Sequence, residues 1–208
     1  MTKNDSFKSY FISKANELLR KKEERNFEID QHNRFAIDFF VAYFSDLELL
    51  KKLGGKIYKG LYLYGSAGTG KSLLFEILED ISKNQKSLSF RIKTIHTISL
   101  VNEVQQELSR PNQLAPNDSS IYLKNSRGPI LFDDLGAERK LKHFGNTIDV
   151  MAEILQLRYF SLKNTTVKTF ITSNLKPEEI RKEYGERVYD RFFEMFNFIE
   201  MSGEPRRK

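Results

Sequence analysis

The 208-residue sequence has no cysteine. That excludes a disulfide framework and any thiolate metal site, and a reducing cytoplasm is the simplest home for such a chain. Histidine is scarce: His32, His96 and His143 are scattered along the chain. They suggest neither a metal cluster nor a catalytic pairing, and each reads as an ordinary surface or packing residue. No apolar run approaches the length of a membrane span, and the first residues, Met1 to Asp5, are polar. A soluble protein with no membrane partner is expected. Neither sign of charge dominates: 34 Lys and Arg against 28 Asp and Glu give a net +6, a basic excess that permits nucleic-acid binding without requiring it. The length suits one α/β domain with a substantial core.

What is present is a phosphate-binding loop. The segment Gly65-Ser66-Ala67-Gly68-Thr69-Gly70-Lys71-Ser72 has the spacing G-x-x-x-x-G-K-[ST], in which glycines let backbone N–H groups wrap a polyphosphate at the positive end of the following helix. Its setting fits, because Leu61-Tyr62-Leu63 reads as a strand before it. After it, Leu73, Leu74, Ile77, Leu78 and Ile81 recur at helical spacing. Residues Gly65 to Leu73 are therefore the candidate nucleotide contacts. Lys71 reaches the terminal phosphates, and the Ser72 hydroxyl is a ligand for Mg2+ that needs a carboxylate partner from elsewhere in the chain.

Around this unit the chain divides into a helical lead-in over residues 1–55, packed on a core over 56–208. Phe7, Phe11, Ala15, Leu18 and Leu19 share one helical face. A second helix, starting near Asp30, carries Ile37, Phe40, Val41, Phe44 and Leu47 and stops at Gly54-Gly55. The phenylalanines here are expected to pack, not to stack on bases. Leu88 to Ile92 alternates like a strand, and a helix with Leu100, Val101, Val104 and Leu108 follows. Ser109 to Ser120 reads as a loop. Ile130-Leu131-Phe132 is a strand ending in Asp133-Asp134. Ile148, Met151, Leu155, Tyr159 and Leu162 mark a helix, Val167 to Ser173 a strand, and Phe198 to Met201 a last one. Alternating strands and helices predict an α/β fold with a mainly parallel sheet, whose ligands bind beyond the carboxyl ends of the strands.

Candidate residues stand at those ends. Two adjacent carboxylates after an apolar run would be costly if merely buried, so Asp133 is the expected second Mg2+ ligand. Asp134, pointing the other way, polarises the water that attacks the γ-phosphate. The plainer alternative is an exposed turn. Asn174 closes the strand Thr169 to Ser173 and has a carboxamide able to align that water. Arg187 and Arg191 lie one helical turn apart and suit an anionic partner; a surface salt-bridged pair with Glu186 or Asp190 is the alternative. The stretch Glu138 to Phe144 carries positive charge just after the acidic pair. It is either a contact for single-stranded DNA or a solvated loop.

Taken together, the loop Gly65 to Ser72, the stretch Ile130-Leu131-Phe132-Asp133-Asp134-Leu135-Gly136-Ala137-Glu138, the segment Ile171-Thr172-Ser173-Asn174 and the run Gly185 to Arg191 resemble the DnaC/IstB-like AAA+ ATPases, which are helicase loaders and transposition helper ATPases. The resemblance covers roughly residues 30 to 205. It implies a P-loop AAA+ three-layer sandwich with a five-stranded sheet, ATP and Mg2+ as ligands, and ATP hydrolysis stimulated by self-assembly or DNA. Lys71 and Ser72 look like Walker A, Asp133 and Asp134 like Walker B, and Asn174 like sensor 1. Arg191 looks like the arginine finger, with Arg187 close by.

The implied partners are further copies of the chain across nucleotide-bridged interfaces, single-stranded DNA, and a replicative helicase or a transposase. Two departures from the family are a sequence with no residues for a helical lid after the last strand, leaving Arg206 or Arg207 as candidates for sensor 2, and an amino-terminal segment without cysteines for a zinc-bearing module. Other classes fit less of the pattern: a nucleotide-dependent binding module with little hydrolysis, or a P-loop kinase for a small metabolite.

Overall fold

The four-residue spacing of Phe11, Ala15 and Leu19 is realised in α1 (Lys3–Glu23), which buries all three completely. The structure, a computed structural model, describes residues 3–84, 92–109, 120–164 and 167–206. After α1 come α2 (Arg34–Ser45), α3 (Leu47–Lys52), β1 (Gly60–Tyr64) and α4 (Lys71–Asn84). Next are β2 (Lys93–His96), α5 (Thr97–Leu108), α6 (Ser120–Asn125), β3 (Ile130–Leu135), and a hairpin of β4 (Leu141–His143) with β5 (Asn146–Ile148). Then follow α7 (Val150–Asn164), β6 (Thr169–Ser173), α8 (Pro177–Tyr184), α9 (Glu186–Met195) and β7 (Phe196–Glu200).

The chain forms two compact units. One comprises Met1–Ile57, Leu63–Arg91 and Ile199–Lys208, the other Tyr58–Tyr62 and Ile92–Phe198. In the first, α1 packs on α2 and α4. Phe40 sits at the junction, with its ring centroid 5.9 Å from that of Phe11 and 5.0 Å edge-on from that of Phe75, so these rings pack as expected, whereas Phe35 on α2 is 55% exposed.

The single helix expected between Asp30 and Gly54 is two. The Asp30 carboxylate accepts from the backbone N–H groups of His32 (2.8 Å) and Asn33 (3.2 Å), which holds a turn and delays α2 until Arg34. Asp46 then leaves helical geometry and caps α3, accepting from Glu48 and Leu49 N–H at 3.0 Å each. Short acidic side chains offer the backbone this alternative to a continuous helix. Leu47, placed on the apolar stripe by its spacing, is accordingly 51% exposed.

The five-stranded sheet has the strand order β2-β3-β6-β1-β7. Strands β2 and β3, and β3 and β6, are parallel, with Ile95 opposite Phe132 and Phe132 opposite Ile171. All of β6 is buried, as befits a central strand covered on both faces. This is the mainly parallel five-stranded sheet of the α/β class. A Cβ on Gly60 would lie 1.8 Å from the Thr169 carbonyl oxygen, so only glycine allows that approach. Tyr62 is completely buried among Phe192, Phe196 and Phe198, and its hydroxyl donates to Leu175 O at 2.7 Å.

Three local expectations shift. Strand β3 runs on through Asp133 and Asp134 to Leu135. Ile148 belongs to β5 and not to the helix, because the Asp149 side chain accepts from Ala152 N–H at 2.9 Å and starts α7 at Val150. Strand β2 is found at Lys93–His96. Residues 88–91 of the strand expected at Leu88 to Ile92, and 110–119 of the expected loop, lie outside the described residues. Among the described residues no helix is long and apolar enough to cross a membrane.

Candidate functional site

The phosphate loop connects β1 to α4. Leu61 and Leu63 are fully buried and anchor its start, and its turns require positive φ at Gly65 (+135°), Gly68 (+80°) and Gly70 (+99°), which glycine adopts freely. Ser66 and Ala67 are exposed at its crest, and the Thr69 hydroxyl donates to Ser66 O at 3.0 Å. Lys71 opens α4 and is buried. Its ammonium donates to the carbonyls of Gly65 and Ser66, both at 2.8 Å, so a positive charge is held inside the loop at the positive end of a helix. Ser72 and Leu73 are half-buried in the same first turn.

The segment after β7 lies along this loop. Met201 N–H donates to Tyr64 O at 2.8 Å and Arg206 N–H to Gly68 O at 2.9 Å. The Arg206 guanidinium reaches back to Asp30 at 2.6 Å, and that hydrogen bond holds the Asp30 carboxyl below its usual range. Arg206, a sensor 2 candidate by sequence, is therefore beside the phosphate loop; Arg207 lies outside the described residues. A small cavity lined by Phe27, Ile37, Gly70, Leu73, Met201 and Arg206 adjoins the loop.

In the second unit the ends of β2, β3 and β6 carry the other candidates. Asp133 is buried. Its Oδ1 accepts from the Thr172 hydroxyl at 2.6 Å, and its Oδ2 lies 3.2 Å from His96 Nδ1. Asp134 is exposed with φ +59°, a left-handed conformation rare for a non-glycine residue. Two buried threonines hold it there: its N–H donates to Thr172 Oγ1 at 3.0 Å, and its carbonyl accepts from Thr97 Oγ1 at 2.8 Å. The register between β3 and β6 shifts at this point, and of the two carboxylates one is buried and one exposed. Asn174 follows β6 directly and is exposed.

His96, Thr97 and Thr172 were not singled out by sequence as functional. The available signal was position: His96 ends β2 opposite Asp133, and Thr97 follows it.

The Asp-Asp-Leu-Gly-Ala-Glu stretch acquires a physical reason. Glu138 accepts from Gly136 N–H at 2.9 Å and from the Tyr184 hydroxyl at 2.5 Å, tying the loop after β3 to the end of α8. Gly136 has φ +95°, and a Cβ there would stand 2.6 Å from Leu175 Cδ1.

Arg187 and Arg191 are both on α9. Arg187 is exposed, whereas the Arg191 guanidinium lies 4.6 Å from the Tyr159 ring centroid and 4.9 Å from that of Phe160. Glu186 pairs with Arg181 at 2.7 Å. The Ser72 hydroxyl and the Asp133 carboxylate are each, taken separately, hard oxygen donors.

The sequence is 26% identical over 162 residues to the replicative helicase loader DnaI of Bacillus subtilis strain 168, a match spanning 72% of this chain and 48% of that protein. A crystal structure of DnaI superposes with a TM-score of 0.55 at 25% identity, covering 89% of this chain and 93% of that one. The chain is similar to helicase loaders in sequence and in fold. The same fold recurs in the crystal structure of the DnaC helicase loader, with a TM-score of 0.52 and 24% identity over 70% of this chain and 79% of that one. No family model matches the chain. The chain spans about half the length of the curated relative it matches.

Proposed function

We propose that the chain binds and hydrolyses ATP and acts in DNA replication in the manner of a helicase loader, with a replicative helicase as its protein partner. The observation that carries this is the Lys71 ammonium held inside the glycine turns by Gly65 and Ser66 at the start of α4. An entering polyphosphate meets that charge together with the loop's backbone N–H groups and the helix dipole. The 26% identity to a replicative helicase loader supports the choice of process.

In this reading Ser72 and Asp133 would hold Mg2+, which would neutralise phosphate charge. The exposed Asp134 carboxylate accepts a hydrogen bond from water and takes its proton as the oxygen attacks the γ-phosphorus and the bond to the ADP oxygen breaks. Asn174 aligns that water. Arg191 of a neighbouring copy stabilises the charge that develops on the transferred group, so that self-association completes the site.

Nucleotide binding and turnover measured on three proteins test the reading. Lys71→Ala should abolish binding, and Asp134→Asn should bind ATP yet not turn it over. Normal hydrolysis by Asp134→Asn removes that carboxylate from its role. Co-purification from the native host tests the process: a replicative helicase supports loading, and a transposase replaces it with transposition.

A further inference from the structure

The hairpin that follows the Asp133-Asp134 strand is built in an unusual way. Its register pairs Leu141 with Ile148, Lys142 with Thr147 and His143 with Asn146, leaving a two-residue turn of Phe144 and Gly145. Both turn residues have positive φ, +46° and +82°, the geometry of a turn that favours Asn-Gly and penalises a bulky first residue. Phe144 nevertheless occupies that place and is 92% exposed. Its ring is 4.3 Å from that of His143 at an angle of 60°. Packing does not account for an aromatic pair at this tip, since the base of the hairpin is anchored by Leu141 and Ile148, which are buried.

The charge around the tip has one sign. From Arg139 to Ile148 there are three lysine or arginine residues and no carboxylate. Lys140 is engaged at the base, donating to Glu183 O at 2.7 Å and pairing with Asp149 at 3.4 Å and with Glu183. Arg139 donates to the neutral Gln105 side chain at 2.7 Å, so its charge is uncompensated there. Lys142 is exposed on the hairpin. The flanking Asn146 and Thr147 are exposed and polar, so the tip lacks the contiguous apolar surface on which a folded protein partner would dock.

We propose that this hairpin is a contact for single-stranded nucleic acid, with Phe144 stacking on an unpaired base and Lys142 and Arg139 meeting the adjoining phosphates. A lone exposed aromatic flanked by cations is the combination that binds single strands, since every base has a π face and every linkage a negative charge. Bases within a duplex are already stacked on one another and leave the ring no face to meet. The proposal rests on the reading that the chain works on DNA, but not on its hydrolysis of ATP.

Anisotropy of a labelled oligothymidylate tests it on the full chain. Phe144→Ala should weaken binding about 5- to 150-fold, the equivalent of the stacking free energy of one base. Lys142→Ala should lower the dependence of log affinity on log salt by about 0.7, as for one lost phosphate contact to a single strand. The chain has no tryptophan, so Phe144→Trp places a single fluorophore at the tip, and its emission should be quenched when the oligonucleotide binds. Oligonucleotide affinity equal to wild type in Phe144→Ala overturns the proposal, as does an unquenched Trp in a bound complex or a wild-type chain that binds no oligonucleotide. Loss of helicase capture by Phe144→Ala with unchanged oligonucleotide affinity reassigns the tip to a protein partner. ATP binding by the same variants, which should match wild type, separates failure at the hairpin from failure of the nucleotide assignment.

Discussion

Thr172 donates its hydroxyl to Asp133 at 2.6 Å while the same oxygen accepts the backbone N–H of Asp134 at 3.0 Å. One side chain thereby fixes the carboxylate assigned to Mg2+ and the backbone of the carboxylate assigned to water. Thr172→Val keeps the shape and removes the hydroxyl, leaving a buried carboxylate oxygen and a backbone N–H without that partner. The variant should lose roughly 1–3 kcal/mol of stability. Its kcat should fall on the order of tenfold to a hundredfold as Asp134 loses its orientation, with ATP affinity much less affected. Thr172→Ser, which restores the hydroxyl, should recover most of the rate. Single-turnover hydrolysis with a parallel nucleotide titration separates the two effects, and equal rates for Val and wild type would remove Thr172 from this role.

Arg191 stacks on the Tyr159 and Phe160 rings of α7, and Tyr159 is itself fixed by hydrogen bonds from its hydroxyl to Glu194 at 3.0 and 3.1 Å. An arginine acting on a neighbour's nucleotide needs a fixed starting direction, and two rings supply one through cation–π contact. Arg191→Ala should leave ATP binding intact and abolish the rise of specific activity with protein concentration, a loss on the order of 10³-fold where assembly is complete. Phe160→Ala should give a partial, few-fold loss at the same concentrations. A concentration series of initial rates for the three proteins measures both. Activity in Arg191→Ala that still rises with concentration would assign the finger to Arg187 or to another residue.

The parts of the site legible in sequence were those whose chemistry is carried by spacing or by an implausible burial. Gly65 to Ser72 declares itself because its glycines and Lys71 serve one geometry, and Asp133-Asp134 because two carboxylates end an apolar run. His96 and Thr97 escaped notice because the strand expected before them ends at Ile92, four residues short of the end of β2, so their position at a strand end was hidden. The hairpin escaped because strands of three residues give no alternation to read, and Phe144 is a poor turn residue by propensity. The break between α2 and α3 depends on one side-chain hydrogen-bond choice by Asp46, which periodicity does not encode.

Arg158 shows the limit most clearly, since a charged residue in a helical pattern reads as solvated, yet this one is fully buried. Its guanidinium donates to the carbonyls of Asn125 (2.9 Å), Gly128 (2.8 Å) and Lys168 (2.9 Å) and to the Thr169 hydroxyl (2.8 Å), with Arg127 O at 3.4 Å. These acceptors lie just before β3 and at the start of β6, so the side chain pins the two central strands together at the ends opposite Asp133. Burial pulls its pKa down to about 9, which leaves it charged at neutral pH. Arg158→Met should cost roughly 3 kcal/mol or more, because several buried carbonyls lose their donor at once. Arg158→Lys, with fewer donors and no planar fork, should recover only part of that. Urea denaturation at constant m-value measures both, and a stable Met variant would mean that water satisfies those carbonyls.

Glu153 on α7 makes a pH-dependent contribution of definite sign. Burial raises its pKa above the usual carboxylate value, with a smaller push from Asp149 and an opposing influence of the neighbouring Tyr122 hydroxyl. The folded chain therefore holds a proton on Glu153 at pH values where the unfolded chain has released it. The stability this confers is complete below the unfolded pKa and is lost as pH rises through the folded pKa. Above the folded pKa the ionised carboxylate is a net burden on the fold. Glu153→Gln keeps the shape but never ionises. Its stability relative to wild type should increase as pH is raised from 4 to 7 and level off above the raised folded pKa. Paired denaturation curves across that range decide the matter: a difference between the proteins that does not change with pH would mean that Glu153 titrates alike in the folded and unfolded chains.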